Sequence, residues 1–164
     1  MHNVSVNLQD LVAKVPRRRV LQLMNVYPPY LGAGVRVAGV EGEGERIDAV
    51  TVELRTTVWN RNYVGTAFGG SLYAMADPWF MLLLGWKLGK PYVVWDKAAS
   101  IDFVKSGRST LRARFEVRDE VVAELRSQLD AVGKVEPRFE TELRDESGTL
   151  IARVRKHLHA HKPR

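Results

Sequence analysis

The 164-residue chain contains no cysteine. That absence excludes a disulfide scaffold, an iron–sulfur site, a Cys₄ zinc site and a cysteine nucleophile. It fits a reducing compartment, and a cytoplasmic protein is expected. There is no internal repeat and no low-complexity tract. Met1–Asp10 is polar and has no basic segment ahead of an apolar core, so no signal peptide is expected. No apolar run is long enough to span a membrane without a charge. The nearest, Ala67–Trp86, carries Asp77 followed by Pro78 at its middle, and a charge there would be costly in lipid. Nucleic-acid signatures are missing too: no zinc finger, no basic zipper and no Arg/Gly-rich segment.

What is present suits one compact domain with a real core: 45% hydrophobic residues and 27% charged ones, at a length where burial alone can hold a fold. The net charge of +6 favours an anionic partner without choosing one. Leu8, Leu11, Val12 and Val15 have helical spacing, and Val20, Leu21 and Met24 suggest a second short helix stopped by Tyr27-Pro-Pro-Tyr30. Residues 1–30 are thus read as an N-terminal helical extension. Val35–Val40 and Ile47–Val58 read as strands. Ala67–Leu88 reads as one long helix, apolar on nearly every side and so buried on nearly every side. Pro91–Trp95 and Ala98–Val104 read as strand, as one strand with a break or as two. The alternation of Leu111, Ala113, Phe115 and Val117 with charged residues marks a half-buried strand. Asp119 reads as an N-cap, Val122, Leu125, Leu129 and Val132 as a helix face, and Gly133 as its stop. Two further strands, around Phe139–Leu143 and Leu150–Leu158, flank a turn at Asp145–Gly148, and residues 159–164 read as a basic tail. The order predicts an α+β fold with a largely antiparallel sheet. A helix apolar all round needs more cover than one sheet face, so a homodimer is expected.

The segment from Asn60 to Asp77 holds the chemistry. A polar loop enters the N-terminus of the buried helix at Gly69-Gly70, whose open N–H groups suit a developing oxyanion. Asn62 offers a side-chain amide. Asp77 is the sole acid between Glu53 and Asp96, and an Asp in so apolar a helix needs a partner or a task.

The run Asn62-Tyr-Val-Gly-Thr-Ala-Phe-Gly-Gly70 with Asp77 resembles the active-site signature of the hotdog-fold acyl-CoA thioesterases, of the phenylacetate-pathway and thioesterase-superfamily-member-2 types. Ser100-Ile-Asp-Phe103 resembles the family's next strand, which supplies a serine. Ala76-Asp-Pro78 is similar to a hotdog subgroup grouped with thioesterases. The ordering of elements fits nearly the whole chain apart from the N-terminal helices. One departure is Phe68, where the signature usually has a histidine. The resemblance implies a curved antiparallel sheet wrapped around a long central helix. It also implies thioester hydrolysis with no metal and no cofactor beyond the coenzyme A of the substrate. Gly69 and Asn62 would polarise the carbonyl, Asp77 would act as general base or nucleophile, and Ser100 would help hold the water.

Gly69 and Asp77 are eight residues apart, about 12 Å along one helix. One carbonyl carbon could hardly contact both, so donors and acid are expected from different chains of a dimer. Gly70, Phe68, Arg61 and Lys105 are expected on the substrate side. Arg61, Lys97, Lys105, Arg108 and Arg153 are candidates for the phosphates of coenzyme A, and nothing in the sequence selects among them. Acyl carrier protein is as good a carrier as coenzyme A on charge grounds, and a tetramer is as open as a dimer.

Each of these residues has a plainer reading. Asp77 could bond a serine or backbone, the glycines could serve close packing, Asn62 could shape a turn, and Ser100 could be an ordinary strand residue. His157, His159 and His161 alternate like metal ligands on one strand face, but they sit beside a basic end and read as solvated. Two other functions compete. One is a non-catalytic acyl-thioester-binding module, suggested by Phe68. The other is a hydroxyacyl-thioester dehydratase, disfavoured because no histidine lies between His2 and His157.

Overall fold

The computed structural model describes residues 15–163. The helical reading of Leu8–Val15 falls almost wholly outside them. Helix α1 spans Arg17–Leu23 and continues into a single 3₁₀ turn at Met24–Val26. The prolines after Tyr27 do not merely stop this helix. They open another, α2, at Pro28–Ala33, because proline in a first turn lacks only an N–H that would be unpaired anyway.

Among the described residues seven strands form one antiparallel sheet: β1 Val35–Glu41, β2 Ala49–Leu54, β3 Val93–Phe103, β4 Leu111–Glu116, β5 Lys134–Val135, β6 Arg138–Asp145 and β7 Leu150–His161. The order is β1-β2-β4-β6-β7-β3, with β5 also on β7. The segment 91–104 is one strand, and its break is a register shift between Asp96 and Ala98 against β7. Strand β2 is shorter than Ile47–Val58 suggested. The expected tail from residue 159 is corrected: β7 runs through His161, paired with β3 and β5.

Period-two patterning sets the faces. In β4, Leu111, Ala113 and Phe115 are buried and Arg112, Arg114 and Glu116 are exposed. The outer face is a ladder of ion pairs. Glu53, nearly buried on β2, is clasped by Arg36 at 2.5 Å and Arg112 at 2.8 Å from the two neighbouring strands. Burial would raise its carboxyl pKa, but the two guanidinium bonds outweigh that and hold it low.

Against the inner face lies the central helix, and here the expectation of one helix over 67–88 is corrected. Helix α3 covers Gly69–Ala76 and α4 covers Trp79–Leu88. Asp77 between them has extended backbone angles. Pro78 cannot donate to the Ala74 carbonyl, so the ladder opens at this point. The Asp77 N–H takes the Ala74 oxygen at 3.3 Å, and the Trp79 indole N–H bonds the Met75 carbonyl at 2.8 Å.

Leu72, Met75, Trp79, Phe80, Leu83 and Leu84 fill the core. Phe115 sits edge-on to Phe80 at 5.2 Å and 6.2 Å from Trp79, and Phe80 stacks on Phe139 at 5.0 Å. Helix α5, Asp119–Val132, buries Val122, Leu125 and Leu129 and ends at left-handed Gly133 (φ 78°). Its N-cap is Arg118, one residue before the expected Asp119. Among the described residues no helix is long and apolar enough to cross a membrane.

Phe115 is fully buried and, through Trp79 and Phe80, joins the second half of the interrupted helix to the sheet. Phe115→Ala is expected to lower the unfolding free energy by about 3–5 kcal/mol, read from urea unfolding followed by circular dichroism.

Candidate active site

The site residues fall into two groups at the two ends of α3. At its N-terminal end the loop 60–68 folds back on itself, and its ordering depends on two asparagines. Asn60 is buried, its amide donating to the carbonyls of Ala33 and Arg55 and its oxygen accepting from the Thr57 N–H. Asn62 accepts from the N–H groups of Val64 and Thr66 at 3.1 and 3.0 Å and donates to the Thr66 hydroxyl at 2.8 Å. Asn62 is therefore a turn-forming residue, with one amide proton left to offer a ligand.

Two clefts open beside this helix start. One, about 400 Å³, is lined by Asn62, Gly69, Phe103 and Lys105 among others. The other, about 390 Å³, is lined by Trp59, Arg61, Phe68 and Gly70 among others. Six of the eight residues expected in the site thus surround the start of α3. The glycines are needed for close approach. A Cβ on Gly69 would lie 3.1 Å from the Phe103 ring, and one on Gly70 would lie 2.4 Å from the ring of Phe68. Phe68 itself is 54% exposed, with its ring laid over Gly70.

Asp77 is at the other end of α3. Its extended backbone turns it out of the helix. The carboxylate, 44% exposed, receives the Lys156 ammonium at 2.7 Å, and the Lys156 side chain is 0% exposed. Lys156 also donates to the Tyr73 hydroxyl at 3.3 Å, and its charge lies 5.3 Å from the Tyr73 ring centroid. The Asp96 carboxylate is 3.1 Å away, close enough for charge attraction but poorly aligned for a hydrogen bond. Burial would lower the Lys156 pKa, but the hydrogen bond and charge of Asp77, with Asp96 behind it, raise it instead. Asp96 moves up from the ordinary carboxylate range. Burial is the main cause, and the Asp77 charge adds to it against the pull of Lys156. On the other side, the Tyr30 hydroxyl donates to the Asp77 main-chain oxygen and so fastens α2 to the break. Burial, with the Asp77 charge behind it, pushes the Tyr30 phenol far above its usual range, which keeps it a donor.

Ser100 joins neither group. It is paired with Arg155, and Ala99 with Lys156. Adjacent strand residues face opposite ways, so Ser100 is on the outer face, away from Asp77 of its own chain. His157 and His159 share that outward register and lie 3.0 and 3.6 Å from Glu136, and neither is placed to pair with Asp77. Among the described residues no group of three His, Asp or Glu side chains is arranged to hold a metal. Sequence reasoning missed Lys156, Asp96, Tyr73 and Tyr30. The signal for Lys156 was available: it occupies an inward position in β7 between Val154 and Leu158.

The chain belongs to the family described as Domain of unknown function (DUF4442), whose model matches residues 17–160. A sequence search of curated proteins finds no match. Solved structures share the fold. Protein PA5026 of Pseudomonas aeruginosa superposes with a TM-score of 0.79 at 18% identity, over 91% of this chain and 97% of that one. The thioesterase HI1161 of Haemophilus influenzae gives 0.63 at 15% identity, over 88% and 90%. The PaaI protein of the Escherichia coli phenylacetic acid degradation operon gives 0.60 at 16% identity, over 91% and 94%. The architecture is the hotdog fold of these thioesterase-like structures.

Removing the ammonium leaves Asp77 and Asp96 facing each other. Lys156→Met is expected to cost about 3 kcal/mol at neutral pH, the low end for breaking a buried pair because one partner is half-exposed. The lysine's folded pKa lies above its unfolded one, so the deficit against wild type is constant through neutral pH. It closes as pH rises through the raised Lys156 pKa. Urea unfolding of both proteins across a pH series checks both the size and the sign.

Proposed function

We propose that the chain hydrolyses acyl thioesters, of coenzyme A or of an acyl carrier protein, at a site shared by two copies. The observation that carries this reading is the half-exposed Asp77 carboxylate. It interrupts a core helix and is held by a buried ammonium, an arrangement that fixes its direction while leaving a face open to substrate. Asp77 takes a proton from water as that water attacks the carbonyl carbon. Alternatively the carboxylate attacks directly and water then cleaves the acyl-enzyme. Either way the carbonyl oxygen gains negative charge, the carbon–sulfur bond breaks, and the departing thiolate takes a proton. The N–H groups at the start of α3 receive the developing charge.

Those donors lie about 12 Å from Asp77 along the helix rise, so they come from the partner. The exposed edge of β3 supports such a pairing: Trp95 and Phe103 are more than half-exposed there. The basic Arg61 and Lys105 beside the two clefts suit the phosphates of the carrier. The names carried by HI1161 and the PaaI protein agree with this chemistry. A second reading, a binding module without turnover, is favoured by one observation: the Phe68 ring lies against the side-chain position of Gly70, which puts an apolar group beside the donors.

Asp77→Asn is expected to reduce thiol release from an acyl-CoA panel at least about a hundredfold, near 2.7 kcal/mol, with circular dichroism unchanged. Mixing it with an Asn62→Ala, Gly70→Ala double variant, refolded together, is expected to restore activity. Each mixed dimer then holds one site with every wild-type group. Mixed dimers that form but stay inactive would place the whole site in one chain. A wild type that binds acyl-CoA without releasing thiol would leave the binding module.

A further inference from the structure

A cavity larger than either cleft lies away from the start of α3. It has a volume of about 1020 Å³ and lies between the N-terminal helices and the interrupted central helix. Val20, Leu23 and Met24 line it from one side and Ala74, Met81 and Leu82 from the other, and Asp77 is the sole charged residue in its lining among the described residues. Ligand pockets run to roughly 300–1,000 Å³, so this one is at the upper end and far larger than a short acyl group needs. Its two methionines give it a wall that adapts to an unbranched chain.

We propose that this cavity takes the hydrocarbon tail of the acyl group, which makes the substrate a long-chain aliphatic thioester. The inference rests on the reading of Asp77 as the hydrolytic group. Three observations lead to this occupant. The cavity is continuous with Asp77 and Pro78, so a tail within it puts its carboxyl end at the carboxylate. Among the described residues the lining offers no second charge to pair with a polar head, so an apolar acyl group suits the interior. The wall formed by α2 is tied to the Asp77 main chain by the Tyr30 hydrogen bond, so filling the cavity bears directly on the residue that would react. The mouth is also apolar: Leu23, Val26 and Tyr27 are about half-exposed or more. An alkyl chain gains from covering such surface, by about fourfold in affinity per buried methylene.

The test uses the full chain and non-hydrolysable thioether analogues of butyryl- and hexadecanoyl-CoA, with binding read by calorimetry. The expected result is hexadecanoyl binding at least about a hundredfold tighter than butyryl, with a more negative heat-capacity change. Met81→Trp and Met24→Trp fill the cavity from its two walls. Each is expected to weaken hexadecanoyl binding at least about tenfold while leaving butyryl binding unchanged. Having two variants guards against one that misfolds. Equal affinity for both analogues, absence of hexadecanoyl binding, or a loss shared equally by both analogues in the Trp variants would overturn the proposal. So would a chain-length-independent change of oligomeric state in light scattering, which would make the cavity wall an interface between copies. Long-chain binding without hydrolysis would uphold the cavity assignment and sink the hydrolase reading. Hydrolysis without chain-length preference would do the reverse.

Discussion

The ion pair between Lys156 and Asp77 is the constraint around which the rest is arranged. A lysine with no exposed side-chain surface sits on the inner face of a sheet, where an unpaired charge would be prohibitive. Asp96 approaches it to 3.1 Å from the neighbouring strand, and the partner that accepts its hydrogen bond, Asp77, reaches it from the helix layer. A continuous α-helix would keep Asp77 in the ladder, whereas Pro78 opens the helix and lets the Asp77 backbone extend. The break that looks like a packing defect is what brings the carboxylate to the ammonium. The cost of the break is offset locally, by the Trp79 indole on one freed carbonyl and the Tyr30 hydroxyl on another.

The two ends of α3 differ in chemical character because they have different local sequences. The start has a polar loop, two glycines and free N–H groups, and it is electropositive by construction. The end has a carboxylate held in a charged cluster. One chain cannot fold these two ends together, because a rigid helical turn count separates them. In the proposed reading the two ends meet where a second copy lies antiparallel beside the first. The outer face of the sheet is separate from all of this. Apart from the buried Glu53, its Arg–Glu ladder is solvated, and exposed pairs of that kind contribute little to stability.

Much of this could be read from the residues. The alternation in β4, the amphipathic face of α5 and the stop at Gly133 appear where period and punctuation put them. The stretch from Asn62 to Gly70 forms the polar approach to a buried helix. What escaped reading has physical causes. The helix break was visible as a proline, but whether Pro78 kinks or splits a helix depends on partners far away in sequence, such as Tyr30 and Lys156. The end of β7 was mistaken for a tail because basic residues and histidines look solvated until a sheet neighbour is known. Ser100 seemed well placed because its strand was right, and only the pairing with Arg155 reveals the face. Lys156 was legible in principle, as a cation at an inward position of an alternating strand.

The edge of β3 has a further consequence. Eleven residues of strand are paired on one side only among the described residues, and the exposed side carries large apolar groups. Open edges of that length are templates for any extended chain. A copy whose edge stays uncovered is therefore open to strand addition, and the pairing of two copies proposed above would close it.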